Sequence, residues 1–185
     1  MEKLKNCLFE HIQTSKKMQD LLHFVKEAGD ICVKALKNGN KIMLCGNGGS
    51  AADAQHIAAE LSGRFKKERN PLAGIALTTD TSALTAIGND YGYEYVFSRQ
   101  LEAIAKDGDV LIAISTSGNS KNVIKAIESA KKLNVSVITL SGKDGGVMKN
   151  AGDVNIVIPS NDTPRIQEMH IMVGHMICAI IDDDF

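Results

Sequence analysis

The chain has 185 residues, 23% of them charged and 44% apolar, the balance of a single domain with its own core and far from that of a disordered chain. Its 21 Lys and Arg nearly cancel 22 Asp and Glu, for a net charge of −1, so no overall field draws in a nucleic acid. With no Trp and only 4% aromatics, the stacking platforms of single-strand or carbohydrate binders are hard to build, and recognition is left to small polar groups.

The N-terminus, MEKLKNCLFEHIQTSKK, lacks the apolar run of a signal peptide, and the longest apolar stretch, 171–181, is interrupted by His175 and too short to span a bilayer. Cys7, Cys32, Cys45 and Cys178 form no CxxC and read as reduced, mostly buried thiols. These features point to the cytoplasm.

Residues 1–40 carry no Pro and place Leu4, Leu8, Ile12, Leu21, Leu22, Val25, Ile31, Ala35 and Leu36 at helical spacing, ending at Asn38-Gly39-Asn40. The spacing predicts two helices or one bent one, an N-terminal helical hairpin. Alone it has too little partner surface, so it is expected to pack on residues 41–185 and in an oligomer.

Short apolar runs follow: KIMLCG (41–46), AGIAL (73–77), DVLIAIS (109–115), VSVITLS (135–141) and DVNIVIP (153–159), alternating with helix-like stretches. Near-continuous apolar runs are what a parallel sheet covered on both faces requires, and the spacers are long enough for right-handed crossovers. The expectation is an α/β three-layer sandwich with a five-stranded parallel sheet, closed by one long helix over 163–183 with Pro164 near its start. Residues 41–185 form one unit, and its ligand is expected beyond the carboxyl ends of the strands.

The loop after the first run, Cys45-Gly46-Asn47-Gly48-Gly49-Ser50, delivers the chain into a helix that Ser50 can cap, and its glycines let the backbone approach an anion or a polyol. Gly46-x-Gly48-x-x-Ala51, with Asp80 further on as a ribose ligand, also fits a relaxed dinucleotide fingerprint; no Lys follows at Walker A spacing. After the third run, Ser115, Thr116, Ser117 and Ser120 place four hydroxyls within six residues at a helix start. Capping needs one of them, and the other three suit a phosphomonoester.

On the helix after Ser50, Asp53, His56 and Glu60 share a stripe, while Ala54, Ile57 and Leu61 take the neighbouring one toward the core. His56 and Glu60, four apart, can converge on one metal ion or substrate, or form a surface pair; Glu60 can instead bond Arg64. On the last helix Gln167 and His175 stand about 12 Å apart in rise, and His175 is open to being either a core histidine or a functional one. Asn89 and Asp90 can bond ligand hydroxyls or form an Asx turn.

Five segments, CGNGGSAADAQHIAAELSGRF, AIGNDYGYEYVFSRQ, ISTSGNSKNVIKAI, ITLSGKDGG and RIQEMHIMVGH, occur in order over nearly the whole chain and resemble the phosphoheptose isomerases of the sugar isomerase (SIS) family. The resemblance implies the flavodoxin-like, doubly wound SIS fold and conversion of sedoheptulose 7-phosphate to D-glycero-D-manno-heptose 7-phosphate, toward nucleotide-activated heptose for lipopolysaccharide core or capsule. It implies a homotetramer with active sites near subunit interfaces. Transferred by motif, Asn47, Gly48, Gly49, Glu60, Asn89, Asp90, Ser115, Thr116, Ser117, Ser120 and Gln167 would bind substrate. His56, Glu60, Gln167 and His175 would hold one zinc ion per subunit, and Glu60 with His175 would form the catalytic pair.

Two other readings compete. Non-catalytic SIS domains of replication-initiation regulators share the glycine loop and the RIQE segment but lack the Glu and the final His. A nicotinamide-dependent oxidoreductase would leave the Ser-rich loop and the His/Glu stripe unused. Ala51, Ala52 and the Asn161-Asp162-Thr163-Pro164 approach depart from the family pattern and bear on fine substrate selectivity.

Overall fold

The computed structural model describes residues 1–185. Its helices are α1 (Glu2–Lys17), α2 (Leu22–Lys37), α3 (Gly49–Ser62), α4 (Thr81–Asp90), α5 (Ser98–Ile104), α6 (Lys121–Lys132) and α7 (Thr163–Asp184). Its strands are β1 (Ile42–Cys45), β2 (Gly74–Ala76), β3 (Val110–Ser115), β4 (Ser136–Gly142) and β5 (Val154–Ile158). All pair in parallel in the order β2-β1-β3-β4-β5, with Ile42 opposite Val110, Ile112 opposite Ile138 and Leu140 opposite Ile156.

The five apolar runs are therefore the five strands, and the physical reason is visible in their alternation. Ile42 and Leu44 enter one core with α2, α3 and α7; Met43 and Cys45 enter a second with α5 and α6. Ile112 and Ile114 divide from Leu111 and Ala113 in the same way. Successive side chains point to opposite faces, and here both faces are covered, so the runs are nearly continuous; the polar exceptions in β4 and β5 include Thr139, which donates to Asn155 Oδ1 at 2.9 Å. The order reverses between β1 and β3, so their carboxyl ends open the crevice where such sheets bind ligands.

The N-terminal segment is a bent helix and not a hairpin. A four-residue 3₁₀ turn, Met18–Leu21, joins α1 to α2 with the backbone still right-handed, so the helix continues with a bend and does not fold back. α2 packs along α7, while α1 leans on α7 through His11 Nδ1, 2.8 Å from Glu168 Oε2, and through Arg165, which donates to the Cys7 carbonyl. Leu4, Leu8, Phe9 and Ile12 remain exposed on α1.

Cys32, Cys45 and Cys178 are buried free thiols, and burial pushes the Cys45 and Cys178 groups up to about 12; Cys7 is exposed. On α7 the core histidine is His170, fully buried, with Nε2 3.0 Å from the Ser141 carbonyl. Burial, which disfavours the cation, pushes its imidazole down to about 4 although the bond to Ser141 acts the other way.

Above the unfolded value near 6.5 His170 contributes no pH dependence. As pH falls from 6.5 toward 4 the unfolded chain takes up a proton that the folded one refuses, and stability drops by about 3 kcal/mol. His170→Gln, whose amide can still donate to Ser141, should lose that slope in urea unfolding compared at pH 7 and pH 4.5. Asp53, whose carboxyl burial raises to about 6, acts with the opposite sign but is common to both proteins. An equal acid loss in both would clear His170 of the effect.

Candidate functional site

α3 begins earlier than its serine suggests. Gly48, at φ +57°, is the residue before the helix, so Ser50 already lies in the first turn, buried beneath Gly46, and makes no side-chain cap. The loop therefore presents Asn47, Gly48 and Gly49 at the mouth of the crevice, and a Cβ on Gly48 would meet nothing within 4 Å. A Cβ on Gly49 would stand 2.5 Å from Gln167 Nε2, so the α7 carboxamide rests directly on the start of α3.

Further along these helices the ionisable groups converge. His56 Nε2 lies 2.9 Å from His175 Nε2 and 3.1 Å from Glu60 Oε1. The i,i+4 spacing accounts for His56 and Glu60. What brings His175 to them is Gly174: a Cβ there would sit 2.5 Å from Ile57 Cδ1, so only glycine lets α7 approach α3 this closely. Phe65, in the loop after α3, stacks on the His175 ring at 5.6 Å and 24°. Arg64 pairs with Glu68 and leaves Glu60 to His56.

Asp53 completes the expected stripe. Its Oδ2 is buried without a partner, and burial pushes the carboxyl up to about 6 while the nearby His56 pulls it down. One donor atom each from His56, Glu60 and His175 lies within 4.8 Å of the others. In a tetrahedral zinc site with Zn–N of 2.0–2.1 Å, donor atoms stand about 3.3 Å apart. The two short separations here are close to that edge length, so this donor set of two imidazoles and a carboxylate fits a zinc-like cation.

The hydroxyl loop spans the end of β3 and the start of α6. Ser115 Oγ and Ser120 Oγ are 2.9 Å apart, and Ser117 Oγ accepts from the Asn119 amide. Ser120 stands at the N-cap without making a side-chain cap bond, so the four hydroxyls are not used up in capping. Beside this loop a 370 Å³ cleft is lined by Asn47, Tyr93, Glu94, Ser120, Lys121 and Asn122.

Four of those residues, Tyr93, Glu94, Lys121 and Asn122, were not singled out in the sequence, and two of them bind Asn47. Asn122 exchanges two amide bonds with Asn47, both 2.8 Å, and Tyr93 donates to Asn47 Oδ1 at 3.3 Å. They hold Asn47 across the crevice. Asn89 and Asp90 end α4 as an exposed pair, with Asn89 Nδ2 donating to Asp90 Oδ1, and are not drawn into the His/Glu cluster. Asp80 caps α4 by accepting from the Ala83 amide, which argues against its service to a ribose. The largest cavity, 520 Å³ between α1 and the loops after β4 and β5, holds none of the expected site residues.

The sequence profile of the SIS domain matches residues 10–142. The chain is 61% identical to a phosphoheptose isomerase from a Nitratiruptor species, with 100% of each covered. Among solved structures, the phosphoheptose isomerase GmhA from Neisseria gonorrhoeae matches with a TM-score of 0.92 at 46% identity, covering 98% of each chain. A phosphoheptose isomerase from Francisella tularensis matches with a TM-score of 0.95 at 36% identity, over 98% of this chain and 97% of that one.

Proposed function

Because the chain belongs to the phosphoheptose isomerase family of SIS-domain proteins, we propose that it interconverts sedoheptulose 7-phosphate and D-glycero-D-manno-heptose 7-phosphate in heptose biosynthesis. The product feeds nucleotide-activated heptose for bacterial lipopolysaccharide core or capsule. The observation that carries this reading to particular atoms is the meeting of Glu60 from α3 with His175 from α7 around His56.

Moving a carbonyl between neighbouring carbons requires a base for a C–H bond and a proton shuttle between two oxygens. Glu60 takes the proton from C1 of the ketose while His175 protonates the carbonyl oxygen on C2, giving an enediol. His175 then accepts the proton from the C1 hydroxyl as Glu60 returns its proton to C2, so both residues end as they began. Glu60 Oε1 is turned to His56, and we assign Oε2 to the C–H bond. The anionic tail is gripped by Ser115, Thr116, Ser117 and Ser120 at the amino end of α6, where the helix dipole favours a phosphate. Asn47, Gly48, Gly49, Asn89, Asp90 and Gln167 orient the polyol.

His56, Glu60, Gln167 and His175 would hold a zinc ion, one per subunit, which when bound supplies Lewis acidity to the substrate oxygens; a carboxylate or imidazole held by the ion is a poorer base or acid, so Glu60 and His175 serve in one role at a time. The exposed apolar stripe Leu4, Leu8, Phe9 and Ile12 on α1 supports a homotetramer in which residues 1–40 pack both on their own domain and on a neighbour, with active sites near the interfaces. No helix is long and apolar enough to cross a membrane, and a phosphorylated sugar substrate is in keeping with the cytoplasm.

Incubation with sedoheptulose 7-phosphate and analysis of the product tests the reading: the aldose phosphate should accumulate to an equilibrium mixture. Exhaustive chelation should abolish turnover and added Zn²⁺ should restore it. Absence of the aldose phosphate from the zinc-supplied preparation would reject the activity, and full turnover after complete metal removal would reject the metal.

A further inference from the structure

The loop between α3 and β2, residues 63–73, has no regular structure, yet it carries Phe65 against the His175 ring. What holds it is a buried ion pair. The side chains of Arg69 and Asp182 are 2% and 4% exposed, with Arg69 Nε donating to Asp182 Oδ1 at 2.9 Å. Asp182 Oδ2 accepts from the amides of Lys66 and Lys67, at 2.8 and 3.0 Å. The other two guanidinium nitrogens donate to the carbonyls of Leu61 and Glu60 in the last turn of α3 and to that of Asn70; the Leu61 carbonyl also accepts from the Leu72 amide. Burial acts to raise the Asp182 carboxyl, but those amides and the Arg69 guanidinium outweigh it and hold it below the usual carboxylate range.

A buried pair with so many neutral partners is weak evidence of net stabilisation, since an apolar replacement often serves as well. Its geometry does something an apolar plug would not. Asp182 lies two turns beyond His175 on α7, while Arg69 bonds the backbone of Glu60 itself. The pair spans the two helices that carry the acting groups and pins the loop whose Phe65 flanks one of them.

We propose that Arg69 and Asp182 are positioning residues of the isomerase site, clamping the 63–70 loop so that Phe65 holds the His175 imidazole in register with Glu60. The inference rests on the roles given above to Glu60 and His175. It requires that loosening the clamp change the His175 ring before it changes the fold.

The test compares the full-length wild type with Asp182→Asn, Asp182→Glu, Arg69→Lys and Glu60→Gln, measuring kcat, KM and the imidazole NMR resonances of His175 in metal-free protein. Asp182→Asn should lower kcat about 10- to 100-fold with KM held within about twofold, because a small misplacement of a reacting group costs that much. Its His175 resonances should shift and broaden. Asp182→Glu, which keeps the carboxylate, should recover most of the turnover. If Asp182→Asn does not fold, Arg69→Lys, which keeps a cation beside Asp182 but loses the guanidinium bonds to the Leu61 and Glu60 carbonyls, decides through the same two measurements.

Unchanged His175 resonances in a folded Asp182→Asn or, failing that, in Arg69→Lys overturn the proposal, as does wild-type kcat in the variant that decides. Full turnover by Glu60→Gln instead removes the chemical roles, and the His175 resonances still judge the clamp by themselves.

Discussion

Glu60→Gln and His175→Gln should each lower the turnover of sedoheptulose 7-phosphate by about 10²- to 10⁴-fold, the range that positioned general acids and bases contribute. Both side chains are half-buried at the crevice, outside the cores that hold the sheet, so both variants should keep the fold and the melting temperature to within a few degrees. Gln matches Glu in shape, so the first substitution removes a base and little else. Gln in place of His175 retains a hydrogen-bond donor near His56 but cannot carry a proton to and from an oxygen. In the proposed proton cycle the two groups act together, so the double variant should be scarcely worse than the poorer single one. Steady-state kinetics with circular dichroism checks all of this, and wild-type turnover in either single variant would end the assignment.

Gly118→Ala should have the second largest effect, through the grip on the phosphate. Gly118 sits at φ +66°, where an L side chain is strained, and a Cβ there would lie 1.9 Å from the Gly145 carbonyl oxygen. The neighbour is backbone, so one loop must move. The Ser loop is otherwise tied to the loop after β4: Met148 donates to the Gly118 carbonyl at 3.1 Å and Val147 to Asn119 Oδ1 at 3.1 Å. Separating them displaces Ser117 and Ser120 from the amino end of α6. We expect kcat/KM to fall about 100-fold, mostly through KM, and stability to fall by about 2–4 kcal/mol. A variant with unchanged KM would mean that this loop does not hold the anion.

The sheet was legible because burial on both faces writes itself as a nearly continuous apolar run, and β3 and β4 end within a residue or so of where their runs predict. β2 is the weakest case. It is an edge strand of three residues with Ile75 exposed, so little packing stands behind its apolar letters. Ser50 misled because the helix start depends on the φ of Gly48, which residue identity permits but does not require. The hairpin failed on a similar point: a four-residue connection without Gly or Pro was a sign of a continuing helix.

At the site, the pairing of His56 with Glu60 follows from local spacing, whereas its meeting with His175 depends on how two helices cross. Gly174 was the one local hint of a close crossing. A signal for choosing between the α7 histidines also existed. His170 stands four residues after Ile166 and three before Val173, both core positions, while His175, five residues on, is rotated about 140° around the helix. Asn122 and the Arg69–Asp182 pair carry no local mark that separates them from solvated side chains. Each is buried only because its partner arrives from a distant element, 75 residues away for Asn47 and 113 between the two ions.

His56 and His175 are 119 residues apart in the chain and touch only because α7 lies against α3. On the proposed chemistry, a molecule in which every strand has paired and the hydroxyl loop is formed, but this last docking is missing, would be compact and chemically silent. Turnover therefore counts completed molecules alone and passes over near-native ones, which makes reactivity in this fold a stricter witness to tertiary closure than helix content or hydrodynamic size.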